Sequence, residues 1–130
     1  MRFLLDTNAV IALLEDNRSF VARVRTCLPS DFGISAIVHH ELCFGAYKSR
    51  RVAANLQNVH ALQFEVVPIS KADAERAGEI RAALQARGTP IGPYDVLIAG
   101  QAVARSLTLI THNVAEFSRV AGLEFEDWLE

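Results

Sequence analysis

The sequence predicts an α/β domain: a mostly parallel central sheet of four to five strands with helices on both faces. Two observations carry this. Short apolar runs alternate with longer stretches of helical periodicity along the chain, the pattern of strand, crossover helix and parallel strand. Polar residues also follow directly after some of the apolar runs, at the carboxyl ends of strands, where open sheets bind ligands.

The first strand is read from Arg2-Phe3-Leu4-Leu5. Asp6-Thr7-Asn8 breaks it, and Ala9 to Leu14 is an apolar helix. Asp6 or Thr7 suits the N-cap of that helix. A second helix is expected from Asn17 to about Leu28, with Phe20, Val21, Val24 and Leu28 on one side. Pro29-Ser30-Asp31 reads as a turn. Phe32-Gly33-Ile34-Ser35 reads as a strand, with Ser35 capping a helix from Ala36 to about Tyr47. A further helix is expected over Ser49 to Leu62, striped by Val52, Leu56 and Val59. Phe64 to Val67 is the third strand. Ser70-Lys71-Ala72-Asp73 is a capping box with Asp in place of Glu, opening a helix that buries Ala77, Ile80 and Leu84 and stops at Gly88. Pro93 suits the first turn of a buried helix over Tyr94 to Arg105. Leu107 to Ile110 is the fourth strand, Thr111 to Phe117 a polar turn and a short helix, and Leu123 to Phe125 a brief last strand.

The chain has 130 residues, 51% hydrophobic and 22% charged, with a net charge of −2. That is one domain over residues 1–130 with a real core. The charge gives no global nucleic-acid signature, so contact with a polyanion must use a local basic patch or a metal. Cys27 and Cys43 have neither disulfide-framework nor zinc-site spacing, and both are expected as buried free thiols in helices. The N-terminus has no signal-peptide pattern and no stretch is apolar enough to span a membrane, so a cytoplasmic protein is expected.

Four metal-capable groups lie where the chain leaves or faces a strand end. Asp6 ends the first strand. Glu41 is the only acid in its helix, expected half-buried because Ile37 and Phe44 share its side. Asp95 stands in the first turn of an apolar helix, with Ala99 and Ala102 expected to leave space above it for a ligand or a close neighbour. Asn113 lies past the fourth strand, with Thr111 before it and Glu116 one turn later. Each has a bland alternative: helix cap, solvated face, dipole partner, turn residue. Adjacent His39 and His40 point apart on a helix and read as surface or packing residues. Carboxylates gathered in one crevice repel one another, and a divalent cation removes the conflict. Oxygen ligands select Mg²⁺, with Mn²⁺ as a substitute, over zinc, and point to metal-assisted phosphoryl chemistry.

The ordered set Leu4-Leu5-Asp6-Thr7-Asn8, Ser35-Ala36-Ile37 with Glu41-Leu42 and Gly45-Ala46, Gly92-Pro93-Tyr94-Asp95 with Leu97-Ile98-Ala99, and Thr111-His112-Asn113 with Glu116-Phe117 resembles PIN-domain proteins. More narrowly it resembles VapC-type ribonuclease toxins of bacterial type II toxin–antitoxin systems, as does the ending Ala121 to Trp128. The resemblance covers essentially the whole chain. It implies a three-layer α/β/α fold and a Mg²⁺-dependent endoribonuclease acting on tRNA or ribosomal RNA. It also implies a homodimer, and a VapB-type antitoxin whose C-terminal segment covers the active site. Asp6, Glu41 and Asp95 match the family's acidic triad, here expected to be catalytic and to hold the metal. The fourth catalytic position, often Asp, is Asn113, which carries no charge; Glu116 is the candidate to supply the missing carboxylate. Lys48, Arg50 and Arg51 form the one local basic cluster, expected to contact RNA backbone or antitoxin, or simply solvent. Two other readings stand beside the nuclease: a PIN-fold RNA- or protein-binding module with weak catalysis, which Asn113 favours, and a phosphatase-type α/β enzyme, which Asn8 in place of a second Asp disfavours.

Overall fold

A computed structural model describes residues 1–129. Its elements run β1 (Phe3–Leu5), α1 (Thr7–Leu14), α2 (Arg18–Val24), a 3-10 turn (Pro29–Asp31), β2 (Phe32–Ser35), α3 (Ala36–Tyr47), α4 (Val52–His60), β3 (Glu65–Val67), α5 (Lys71–Ala86), α6 (Pro93–Ala104), β4 (Thr108–Ile110), α7 (Val114–Phe117) and β5 (Phe125–Glu126). The sheet order is β3-β2-β1-β4-β5 and every pairing is parallel. Leu5 pairs with Ile34 on one side and Ile110 on the other. β1 is therefore the central strand, and strand order reverses on either side of it. The crevice beyond the carboxyl end of β1 is the position at which sheets of this kind take ligands.

The sequence places the core on these three strands. Leu4, Leu5, Leu109 and Ile110 are fully buried, and Ile34 nearly so, as expected of strands covered on both faces. Trp128, 3% exposed, closes one end of the core against Phe3, Phe20 and Phe32. α5 and α6 pack so closely that a Cβ on Gly100 would fall 2.5 Å from the Ala77 Cβ.

Local signals account for most helix ends. Asp6 caps α1, its carboxylate accepting the Ala9 N–H at 2.8 Å. Ser35 caps α3 by accepting from Ile37 N. The Ser70–Asp73 capping box is reciprocal, at 2.9 and 3.2 Å. Gly88, at φ +71, ends α5 in a Schellman turn, with Thr89 N–H on Leu84 O and Gly88 N–H on Gln85 O. Asp73 and Arg105 then tie α5 to the end of α6 at 2.9 Å. Burial pushes the Asp73 carboxyl up, but the Arg105 guanidinium and the Ser70 cap outweigh it and hold the carboxyl below the usual range.

Several expectations need correction. α2 stops at Val24, not Leu28: the Thr26 hydroxyl bonds Arg23 O at 2.6 Å, and Pro29 keeps Leu28 extended. Cys27 thus lies beyond the helix, and both cysteines are free but half-buried rather than buried. α4 begins at Val52 because Ser49 closes α3, donating to Ala46 O and accepting from Asn55 Nδ2. The helix expected over Tyr94 to Arg105 runs one residue earlier at each end. The strands expected over 64–67, 107–110 and 123–125 are Glu65–Val67, Thr108–Ile110 and Phe125–Glu126. Among the described residues no helix is long and apolar enough to cross a membrane.

Candidate active site

Asp6 is 5% exposed, fixed at the carboxyl end of β1 by its own cap bond and by the Asp6 N–H on Ile110 O. The helix cap and the candidate site thus share one residue. The Thr111 side chain, fully buried at the end of β4, hydrogen-bonds the Asp6 carboxylate and accepts the Asn113 N–H at 2.9 Å. From the other side, Thr7 Oγ1 donates to Glu41 Oε1 at 3.1 Å, tying the first turn of α1 to α3. Glu41 is half-buried as expected; of the two residues expected on its side, Ile37 packs against the core while Phe44 is 58% exposed.

Asp95 is half-buried at the first turn of α6 and hydrogen-bonded to Glu116. Glu116 also accepts the Gly92 N–H at 3.2 Å and the Asn113 amide at 2.6 Å. Asn113 therefore holds Glu116, and Glu116 holds Asp95. Ala99 and Ala102 are fully buried in the core, and the close neighbour beside Asp95 is Glu116.

The electrostatics follow from this crowding. Burial is the largest influence on Asp6 and raises its carboxyl, opposed by Thr111 and Ala9 N–H and reinforced by the charges of Glu41 and Asp127. Asp95 is pushed up to about 7, first by burial, then by the hydrogen bond with Glu116 and the charges of Glu116, Glu41 and Asp6. Glu116 is held low, above all by the hydrogen bond from Asp95, against burial and with help from Gly92 N–H, Asn113 and Arg119. The proton of the pair thus sits on Asp95 and the charge on Glu116.

The structure brings Asp6, Glu41 and Asp95 within electrostatic reach of one another, from segments far apart in the chain, and sets Glu116 against Asp95. Among the described residues, no three His, Cys, Asp or Glu side chains close around a point as a metal ion would require. Asp95 instead turns to Glu116. Two contributors are not singled out by local sequence. Thr7 fixes Glu41 from a distance of 34 residues. Asp127 pairs with His112 at 2.9 Å and is felt at Asp6. Only the position of Thr7 beside Asp6 hints at the first.

The PIN domain family profile matches residues 3–123. The tRNA(fMet)-specific endonuclease VapC of Salmonella typhimurium is 38% identical over 130 residues, covering 98% of each chain. Among solved structures, the DNA-bound VapBC complex from Salmonella typhimurium contains a chain that superposes with a TM-score of 0.93 at 38% identity, with 98% of each chain covered. A chain of VapBC2 from Rickettsia felis, bound to a DNA fragment from its promoter, gives a TM-score of 0.91 at 31% identity, covering 98% of this chain and 99% of that one.

Proposed function

The chain belongs to the PIN-domain family, among its VapC-type toxin ribonucleases, and we propose that it hydrolyses RNA phosphodiester bonds at the cluster of Asp6, Glu41 and Asp95. The observation that carries this reading is the meeting of three carboxylates from separate segments: half-buried Asp95, pushed up to about 7 first by burial and then by the hydrogen bond with Glu116, also feels the charges of Glu41 and Asp6. The donor set fits a hard divalent ion: every candidate ligand is a carboxylate oxygen, with a hydroxyl and an amide beside them. Asp6, Asp95 and Glu41 would hold Mg²⁺, or Mn²⁺ in its place. Such an ion would acidify a water and neutralise charge developing on the phosphate.

The chain's own residues have separable tasks. Thr7 fixes one oxygen of Glu41, leaving the other to orient the attacking water and accept its proton. Thr111 holds the Asp6 carboxylate by a hydrogen bond and favours its charged form. Asn113 and Glu116 keep Asp95 protonated until a ligand displaces that proton.

This reading gives a pH dependence. Below about 7 Asp95 carries a proton and is a poor ligand, so metal affinity and cleavage should rise with pH and level off above about 7. Glu116→Gln removes a charge that raises Asp95 and should shift the rise to lower pH. Stability without metal runs the other way. The folded-state value of Asp95 lies above 3.8, so the folded protein binds the proton more tightly and loses stability as pH climbs towards about 7. Glu116, held low, contributes stability that is complete above its ordinary 4.5 and is lost only at lower pH, so it adds no slope between 4.5 and about 7. Thermal melts without metal should therefore decline between 4.5 and about 7, and Mg²⁺ should restore them most at the upper end.

The deciding experiment incubates purified protein with total RNA in Mg²⁺ or EDTA and maps new RNA ends. Discrete ends with Mg²⁺ and none with EDTA are expected. Equal cleavage in EDTA, or by Asp6→Ala, overturns the assignment. The same reading takes tRNA or ribosomal RNA as the substrate and carries with it a VapB-type antitoxin covering the site, a homodimer and a cytoplasmic location; the VapBC complexes among the structural relatives support the antitoxin.

A further inference from the structure

A second group of metal-capable side chains lies apart from the carboxylates, where α3 meets the end of α4. His39 and Cys43 are four residues apart on α3 and share one side of it. Glu41, two residues from each, projects from the other side. Cys43 Sγ and His39 Nε2 are 3.6 Å apart. Both residues are half-buried, and Cys43 carries a free thiol. His60, the last residue of α4, brings its ring to His39 across the helix pair, with centroids 6.4 Å apart at 33°. It is exposed and makes no hydrogen bond or ion pair among the described residues. One thiol and two imidazoles therefore meet from two helices.

We propose that His39, Cys43 and His60 bind a zinc ion that pins α3 to α4. Thiolate and imidazole are donors that zinc takes, and a thiolate selects against Mg²⁺. The pair on α3 already has the right separation. Bonds of about 2.3 Å to sulfur and about 2.0–2.1 Å to nitrogen, at a tetrahedral angle, set the two ligand atoms ~3.6 Å apart. The third ligand is short of its place, since no three such side chains surround one point among the described residues. The shortfall is small. Two imidazoles on one tetrahedral ion keep their ring centres ~5 Å apart, and an exposed His60 with no competing partner can turn that far. Its position helps, because the last turn of a helix carries partial negative charge and favours a cation. Three protein ligands leave the fourth position to water. Two closely spaced cysteines, the sequence mark of many zinc sites, are absent because these ligands come from two helices.

The test is titration of the purified chain with Co²⁺, a spectroscopic stand-in for zinc, in Mg²⁺ buffer without RNA. Co²⁺ should bind at one ion per chain and show a thiolate charge-transfer band, which carboxylate ligands cannot produce. Zn²⁺ should displace it and excess Mg²⁺ should not. Cys43→Ser should abolish the band, and Cys27→Ser should leave it. His39→Ala and His60→Ala should each lower Co²⁺ affinity by more than the about tenfold to about a hundredfold that follows loss of a supporting group alone. Zn²⁺ should raise the melting temperature of the wild type and of Cys27→Ser more than that of Cys43→Ser. A wild type without the band overturns the proposal, as does a band that survives Cys43→Ser or an unchanged affinity in His60→Ala. One ion per two chains also overturns it, by placing the ion between copies. RNA enters none of these readings, so the zinc site stands or falls apart from the nuclease.

Discussion

Asp6→Asn should lower RNA cleavage by about a hundredfold to a thousandfold, the loss typical when one group that stabilises developing charge is removed, while the protein stays folded. The substitution isolates the carboxylate from the cap. Asn caps a helix as well as Asp does, so the Ala9 N–H keeps its partner and α1 keeps its first turn. Burial and the charges of Glu41 and Asp127 all oppose the ionised form of Asp6. A neutral amide escapes that opposition, so the variant should be at least as stable as the wild type in urea at neutral pH without metal. Activity and stability are then expected to move apart, as they do where a site keeps strain for its chemistry. Asp6→Ala, by contrast, should lose cleavage and also about 1 kcal/mol from the missing cap. Wild-type cleavage by Asp6→Asn would remove the carboxylate from the mechanism.

That double role of Asp6 shows how the sequence could be read. The residue pattern offers a cap and a ligand as alternatives; the fold uses the cap, and the proposed site would take its ligand from the same side chain. The parallel sheet was legible because buried strands are written as unbroken apolar runs, and the helix starts at Asp6, Ser35 and Ser70 because their caps are local. Helix ends were less legible where a hydroxyl bonds back to its own turn, as at Thr26 and Ser49. The candidate ligands Asp6, Glu41 and Asp95 could be named, but their bonding could not. The pairing of Thr7 with Glu41 spans 34 residues and that of Gly92 with Glu116 spans 24, distances over which local periodicity says nothing. The same limit applies to Ala99 and Ala102: helical periodicity gives their face, and only packing shows that the core covers it.

Trp128→Ala should destabilise the protein by about 3–5 kcal/mol, the range for truncating a buried aromatic. The ring is 3% exposed and meets Phe3 at 5.0 Å, Phe20 at 5.9 Å and Phe32 at 6.0 Å, from β1, α2 and β2. Its Nε1–H donates to Glu126 at 3.0 Å and Arg23 lies 4.8 Å over its face. No small side chain replaces contacts on so many sides, so the cavity should not collapse fully. Urea denaturation should show a lower midpoint at an unchanged slope, with Trp128→Phe losing less than half as much. The effect should also reach the site. Glu126 O accepts the Thr111 N–H at 3.0 Å, and Thr111 in turn holds Asp6 and the Asn113 N–H. Trp128 touches none of the site carboxylates directly. Under conditions where Trp128→Ala remains folded, a fall in cleavage larger than that of an equally destabilising change at Leu84, buried in α5, would therefore trace to slackened pairing between β5 and β4. An equal fall at both positions would mean that the aromatic cluster supports the fold alone and leaves the geometry at Thr111 intact.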